Sequence, residues 1–167
     1  MSIKKITAAA FLLSATCAMA TDSPINGTVQ PKCSVYTETQ GVYGNPLPNK
    51  LDTLPASGGT KASIRYDVAQ ANFYLARITH PDSFSSSPTL DDAVAWVGSS
   101  VVGQVSVAAM SDYEAAKVIS PVNVTTFDLT LAGSTWFTVS STATYGYNKA
   151  LPAGNYTAII KADCIAK

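Results

Sequence analysis

The chain has 167 residues, 47% of them hydrophobic and only 13% charged, with eleven basic residues balancing eleven acidic ones. Soluble domains average about 25% charged residues; here Ser, Thr and Asn supply the polarity instead, as is common in exported β proteins. Without clustered Lys and Arg there is no footprint for nucleic acid, and the length suits one domain with a proper core.

Residues 1–20 read as a cleaved secretory leader. Lys4 and Lys5 form its positive region, Ile6 to Leu13 are largely apolar, and Ala18-Met19-Ala20 is a small-x-small cleavage site before Thr21. The apolar run is too short for a membrane anchor. Cys17 is a poor lipidation site, because Ser14-Ala15-Thr16 lacks the leucine expected ahead of it. Loss of the leader would leave a slightly acidic chain with two cysteines, Cys33 and Cys164. An oxidising compartment and an even count favour a disulfide between them. The alternative of two thiols on a metal finds one histidine in the chain, short of a four-ligand site.

Strand signals then recur from end to end. Val29, Cys33 and Val35 share a parity around Pro31, which suits a bulge or edge position in a first strand. Residues 41–60 carry three prolines and four glycines and predict a long irregular connection. The cleanest alternation follows, with Ala62, Ile64, Tyr66 and Val68 on one face and Lys61, Ser63, Arg65 and Asp67 on the other. Phe73 to Ile78 predicts another strand, stopped by His80-Pro81, and residues 82–88 have loop composition. Val94 to Val97 and Val101 to Ala108 are strand-like, with Gly103 a candidate bulge. Ala109 to Val118 is the one stretch where a short helix is allowed. Val122 to Leu131 and Trp136 to Tyr145 complete the middle of the chain. At the end, Leu151 to Asn155 is turn chemistry. Tyr156, Ala158, Ile160, Ala162 and Cys164 then alternate with Thr157, Lys161 and Asp163, predicting a long closing strand. Many strands without βαβ alternation predict an all-β antiparallel sandwich. An immunoglobulin-like Greek key is the expected arrangement, with a jelly roll as its competitor.

Catalytic chemistry finds little support. His80 is the sole histidine, and a Ser–His–Asp hydrolase would need it with Ser83 or Ser85 and Asp82. No nucleophile-elbow glycines surround those serines, and a lone loop histidine reads as a polar surface residue. Asp91-Asp92 is a carboxylate pair, but neighbours on a strand face opposite sides. Neither a phosphate loop nor a dinucleotide glycine motif occurs. The three Asn-x-Thr sequons at Asn26, Asn123 and Asn155 read as ordinary β sequence beside a bacterial-looking leader. Trp96 and Trp136 are read as core rather than as a sugar platform, and Tyr145-Gly146-Tyr147 as an exposed aromatic turn. No catalytic residue, metal or cofactor is expected.

Two stretches carry a resemblance. Asn26-Gly27-Thr28-Val29 leading to Cys33-Ser34-Val35, and the ending from Pro152 to Ile160 with its Pro-x-Gly-Asn-Tyr-Thr turn, are similar to the ends of bacterial chaperone-usher fimbrial subunits, including pilins and Afa/Dr-type adhesins. The resemblance covers about the first and last tenths of the mature chain. It implies an incomplete sandwich whose groove is filled by a neighbour's amino-terminal extension, a form of β-strand addition, repeated head to tail into an open filament. It divides the chain into a leader (1–20), an extension (21–32) and a pilin-like sandwich (33–167). Ile25, Gly27 and Val29 would be the donor-strand residues, alternating with Asn26, Thr28 and Gln30; the competing reading makes them the start of the domain's own first strand. The partners implied are further copies or related subunits, a periplasmic chaperone, an outer-membrane usher, and a host glycan or protein receptor touching Tyr145 and Tyr147. The chain departs from the family in its short extension and in pairing the first cysteine with one in the final strand. The alternative function is a self-contained carbohydrate- or receptor-binding module, and a secreted hydrolase stands third.

Overall fold

The computed structural model describes residues 32–120 and 123–167. The predicted leader, Pro31 and the candidate donor residues Ile25, Gly27 and Val29 lie outside the described residues.

Ten strands are described: β1 (Cys33–Thr39), β2 (Gly44–Leu47), β3 (Lys50–Asp52), β4 (Ala62–Val68), β5 (Tyr74–Thr79), β6 (Val94–Val105), β7 (Val118–Ser120), β8 (Val124–Leu129), β9 (Gly133–Tyr145) and β10 (Lys161–Ala166). One four-residue helix, α1 (Tyr113–Ala116), interrupts them. The strands form two antiparallel sheets of an all-β sandwich. The first runs β1-β4-β9-β3-β2, with β6 along the opposite edge of β9; the second runs β10-β5-β8-β7. Every ladder is antiparallel, an arrangement in which one sheet face commonly packs on the core while the other is wet. In β4 the burial alternates residue by residue, with Ala62, Ile64, Tyr66 and Val68 inside.

The core fills the space between the sheets. Phe137 of β9 lies 4.2 Å from the Phe127 ring of β8 and 5.4 Å, edge-on, from Tyr66 of β4. All three are buried, together with Ile78, Leu129, Val139 and Met110. Tyr66 also ties the layers with a polar atom: its hydroxyl donates to the Arg77 carbonyl of β5 at 3.2 Å and to that of Asp163 of β10 at 3.4 Å. A buried phenol needs such partners, and burial pushes its pKa well above the ordinary value.

Several sequence expectations are corrected. The Pro/Gly-rich 41–60 region holds the β2–β3 hairpin and a 3-10 turn over Pro55–Ser57 rather than an irregular connection. Pro46 is tolerated because β2 is the sheet edge, where a missing N–H costs no ladder bond. The two strands expected over 94–108 are one strand, β6, whose register shifts between Val102 and Gln104 beside Gly103. The helix allowed over 109–118 shrinks to a 3-10 turn over Ala108–Asp112 and α1, before β7 begins at Val118. Among the described residues, the closing strand forms a continuous ladder only from Lys161 onward.

Candidate functional site

The candidate site is the flank on which β1 and β10 come together. Among the described residues, β1 is the edge of the first sheet and pairs only with β4, and β10 is the edge of the second and pairs only with β5. Cys33 of β1 and Cys164 of β10 are disulfide-bonded, with Cα atoms 6.3 Å apart. The predicted pairing is present, and it pins the two sheet edges at one end of the flank. Toward the other end the edges diverge, leaving a depression between residues 37–41 and residues 157–160; the β1/β4 pairing itself shifts register between Thr37 and Thr39 and runs on to Val42, which bridges Thr60.

Opposite that divergence lies the segment from Tyr156 to Ile160. Gly154, at φ 153°, makes the turn into it; a Cβ there would meet the Pro88 ring at 2.5 Å. The predicted alternation survives in burial, with Tyr156, Ala158 and Ile160 half-buried and Thr157 and Ile159 exposed. The ladder does not. The segment has a single bridge, to Ser86. The Thr157 N–H donates to the Ser86 carbonyl at 2.8 Å, and the Thr157 carbonyl accepts from the Ser85 N–H at 2.8 Å and from its hydroxyl at 3.1 Å. The 82–88 loop is held down by Phe84, whose ring sits 4.7 Å from Trp96 and 5.0 Å from Tyr156. Thr157 spends both main-chain groups on that loop. Strand parity therefore directs those of Tyr156 and Ala158 to the opposite edge, where neither N–H has a backbone partner among the described residues.

That edge borders a groove. Two adjoining depressions of about 370 Å³ each share Gly41, Thr157 and Ala158. Leu51 lines one, and Ala62 and Ile64 line the other. An apolar floor beside unpaired main-chain groups suits an extended peptide: the backbone would bond the edge, and alternate side chains would enter the depressions.

The other predicted residues fall elsewhere. Tyr147 is 88% exposed, as expected of a turn aromatic, but Tyr145 is 2% exposed. β9 continues through residue 145, so Tyr145 keeps the inward parity of Phe137, Val139 and Ala143, and the turn begins only at Gly146. The Tyr145 hydroxyl donates to Asp91 and accepts from the Asp91 N–H at 3.1 Å. Tyr145 and then Lys149 hold the Asp91 carboxyl below its ordinary range. The Ala93 N–H, followed by Lys149, does the same for Asp92.

His80 is buried rather than a surface residue. Its Nε2 lies 3.2 Å from both the Ser100 and the Thr125 hydroxyls, joining β6 to β8 across the sandwich, and Nδ1 has no partner among the described residues. Burial lowers its pKa. Ser83 and Ser85 bond Asp82 and Thr157 instead, so the serine–histidine set considered from sequence is not assembled. The tryptophans are not core either. Trp96 is half-buried under Phe84, and Trp136 sits on the outer face of β9 beside Arg65, which lies 4.7 Å over the Tyr36 ring and 5.9 Å from the Trp136 ring.

Sequence reasoning missed the Phe84–Trp96–Tyr156 cluster, whose members are far apart in the chain, and the part played by Gly41. A Ser-rich loop holding one aromatic residue was the available signal for Phe84. No family model matches the chain, and neither a curated protein nor a solved structure does.

Proposed function

We propose that this chain is a non-enzymatic structural and adhesive subunit of a bacterial surface fimbria, polymerised head to tail by donor-strand exchange. In this reading the sandwich is an immunoglobulin-like Greek key lacking one strand. Residues 21–32 of another copy, led by Ile25, Gly27 and Val29, fill the groove between β1 and the 156–160 segment. A periplasmic chaperone holds the groove before polymerisation, and an outer-membrane usher releases the filament at the cell surface. One observation carries the reading: a closing segment with the alternation of a strand, pinned by a disulfide, keeps the groove-side N–H groups of Tyr156 and Ala158 without a backbone partner among the described residues, above apolar side chains. Deleting residues 21–32 is expected to abolish filaments seen by electron microscopy while leaving chaperone binding intact. Unchanged filaments would overturn the donor assignment.

The exposure of Tyr147 favours a second reading, a self-contained carbohydrate- or receptor-binding module. That reading expects a monomer with glycan-array hits that Tyr147→Ala abolishes; an array without hits removes its support.

A further inference from the structure

On the opposite side of the sandwich, the outer edge of β6 is dressed by side chains, with no strand along it among the described residues. The Val102 N–H donates to Glu114 Oε2 at 2.8 Å, and Lys117 Nζ donates to the Ser100 carbonyl at 3.0 Å. Glu114 and Lys117 are also ion-paired with each other. An ordinary i,i+3 pair on a helix surface stabilises only weakly and needs no third party. Here each member makes a second bond, to the main chain of another element. Ser100 and Val102 are two residues apart, so their outward C=O and N–H mark one repeat of an unpaired edge, ~6.6–6.8 Å long. An added antiparallel strand would bring an acceptor and a donor to those two groups. Glu114 brings the acceptor and Lys117 the donor.

We propose that Glu114 and Lys117 form a strand-mimicking cap that denies the β6 edge to a second copy of this chain. The surroundings show what the cap restrains. Val97 is 67% exposed on β6, and Ile119 is 70% exposed on β7. β-branched side chains beside a free edge are a template for intermolecular pairing. By parity Trp96 and Gly98 carry the next outward groups of the same edge, so the cap sits in mid-strand and interrupts any long register. Two further features blunt this flank, the register shift beside Gly103 and the three-residue length of β7. Where the strand-exchange reading holds, the cap has a second consequence: added strands are directed to the β1/β10 flank.

The test is a Glu114→Ala/Lys117→Ala double variant of the full chain, followed by sedimentation velocity and amide hydrogen exchange. The variant is expected to self-associate at least ~10-fold more tightly than the parent. The Val102 amide should lose protection when dilute, and the Gly98 and Val102 amides should gain it as concentration rises. Association should persist with excess peptide 21–32, which competes only for the groove, so failure of the strand-exchange reading leaves this outcome unaffected. Glu114→Gln keeps an acceptor for Val102 and should stay as dispersed as the parent. A folded double variant that remains as dispersed as the parent overturns the proposal. If the double variant does not fold, Lys117→Met alone decides the matter, judged by the same two outcomes.

Discussion

The two flanks on which the sheets approach one another are finished in opposite ways. At β6 the outward main-chain groups of Ser100 and Val102 are taken by Lys117 and Glu114. At β1, no side chain among the described residues hydrogen-bonds the strand's main chain, and the 156–160 segment beside it is bonded only on its far edge, to the 82–88 loop. One flank is covalently pinned yet open; the other is unpinned yet capped. An unpaired edge is costly only where water is excluded, so what separates the flanks is which groups sit beside the edge rather than which residues form the strand.

The sharpest way to break this contrast is to remove the pin. A Cys33→Ser/Cys164→Ser variant is expected to lose ~4–5 kcal/mol of stability by the chain-entropy argument for so long a loop, read as a lower urea midpoint. The loss should be accompanied by weaker capture of peptide 21–32, because β1 and β10 are no longer held together. Undiminished capture would detach the groove from the disulfide.

Crowding the capped side should cost less. A Cβ at Gly98 would sit 2.2 Å from the His80 ring, and Gly98→Ala is expected to destabilise by ~1–3 kcal/mol through overpacking. Peptide capture should remain, since Gly98 is not among the groove-lining residues. Thermal melts and the same capture assay check both halves.

A smaller, pH-dependent effect is expected from His80. Its folded pKa lies below the unfolded value because burial disfavours the imidazolium. The unfolded chain therefore binds the extra proton first as pH falls. The stabilisation is full above ~6.5 and declines as pH drops from there toward the folded value. Asp82 and Lys161 line a depression next to the ring but do not bond it. Melting temperatures at pH 7.5 and 5.0 should differ more for the parent than for His80→Gln; equal differences would remove His80 as the cause.

The least change is expected from Ile159→Ser. This side chain is exposed among the groove-lining residues, and surface substitutions of this kind stay within ~0.5 kcal/mol. Peptide capture should weaken instead, which separates a binding role from a folding role in a single residue.

Much of the sandwich was legible because period-2 alternation is a local property of an amphipathic strand. The 62–68 pattern became β4 with the expected face inside, and two cysteines in an even set became a disulfide. The β2–β3 hairpin was hidden by Pro46 and Pro48, which discourage a strand in general; Pro46 is harmless at a sheet edge and Pro48 falls in the turn. Tyr145 was misplaced by one residue of turn boundary, and His80 by the assumption that a loop-like neighbourhood stays wet.

What the residues alone determined is the alternation of faces along a strand, most cleanly over 62–68, since side chains alternate across a pleated backbone whatever lies beside it. What the tertiary arrangement decided is which edges are paired, pinned, capped or left open. Hydrogen bonds between strands depend on distant parts of the chain: Tyr156 to Ile160 carry the alternation of a strand and lack its ladder, while Glu114 and Lys117, which lie in the stretch allowed as a short helix, close an edge formed by residues more than ten positions away.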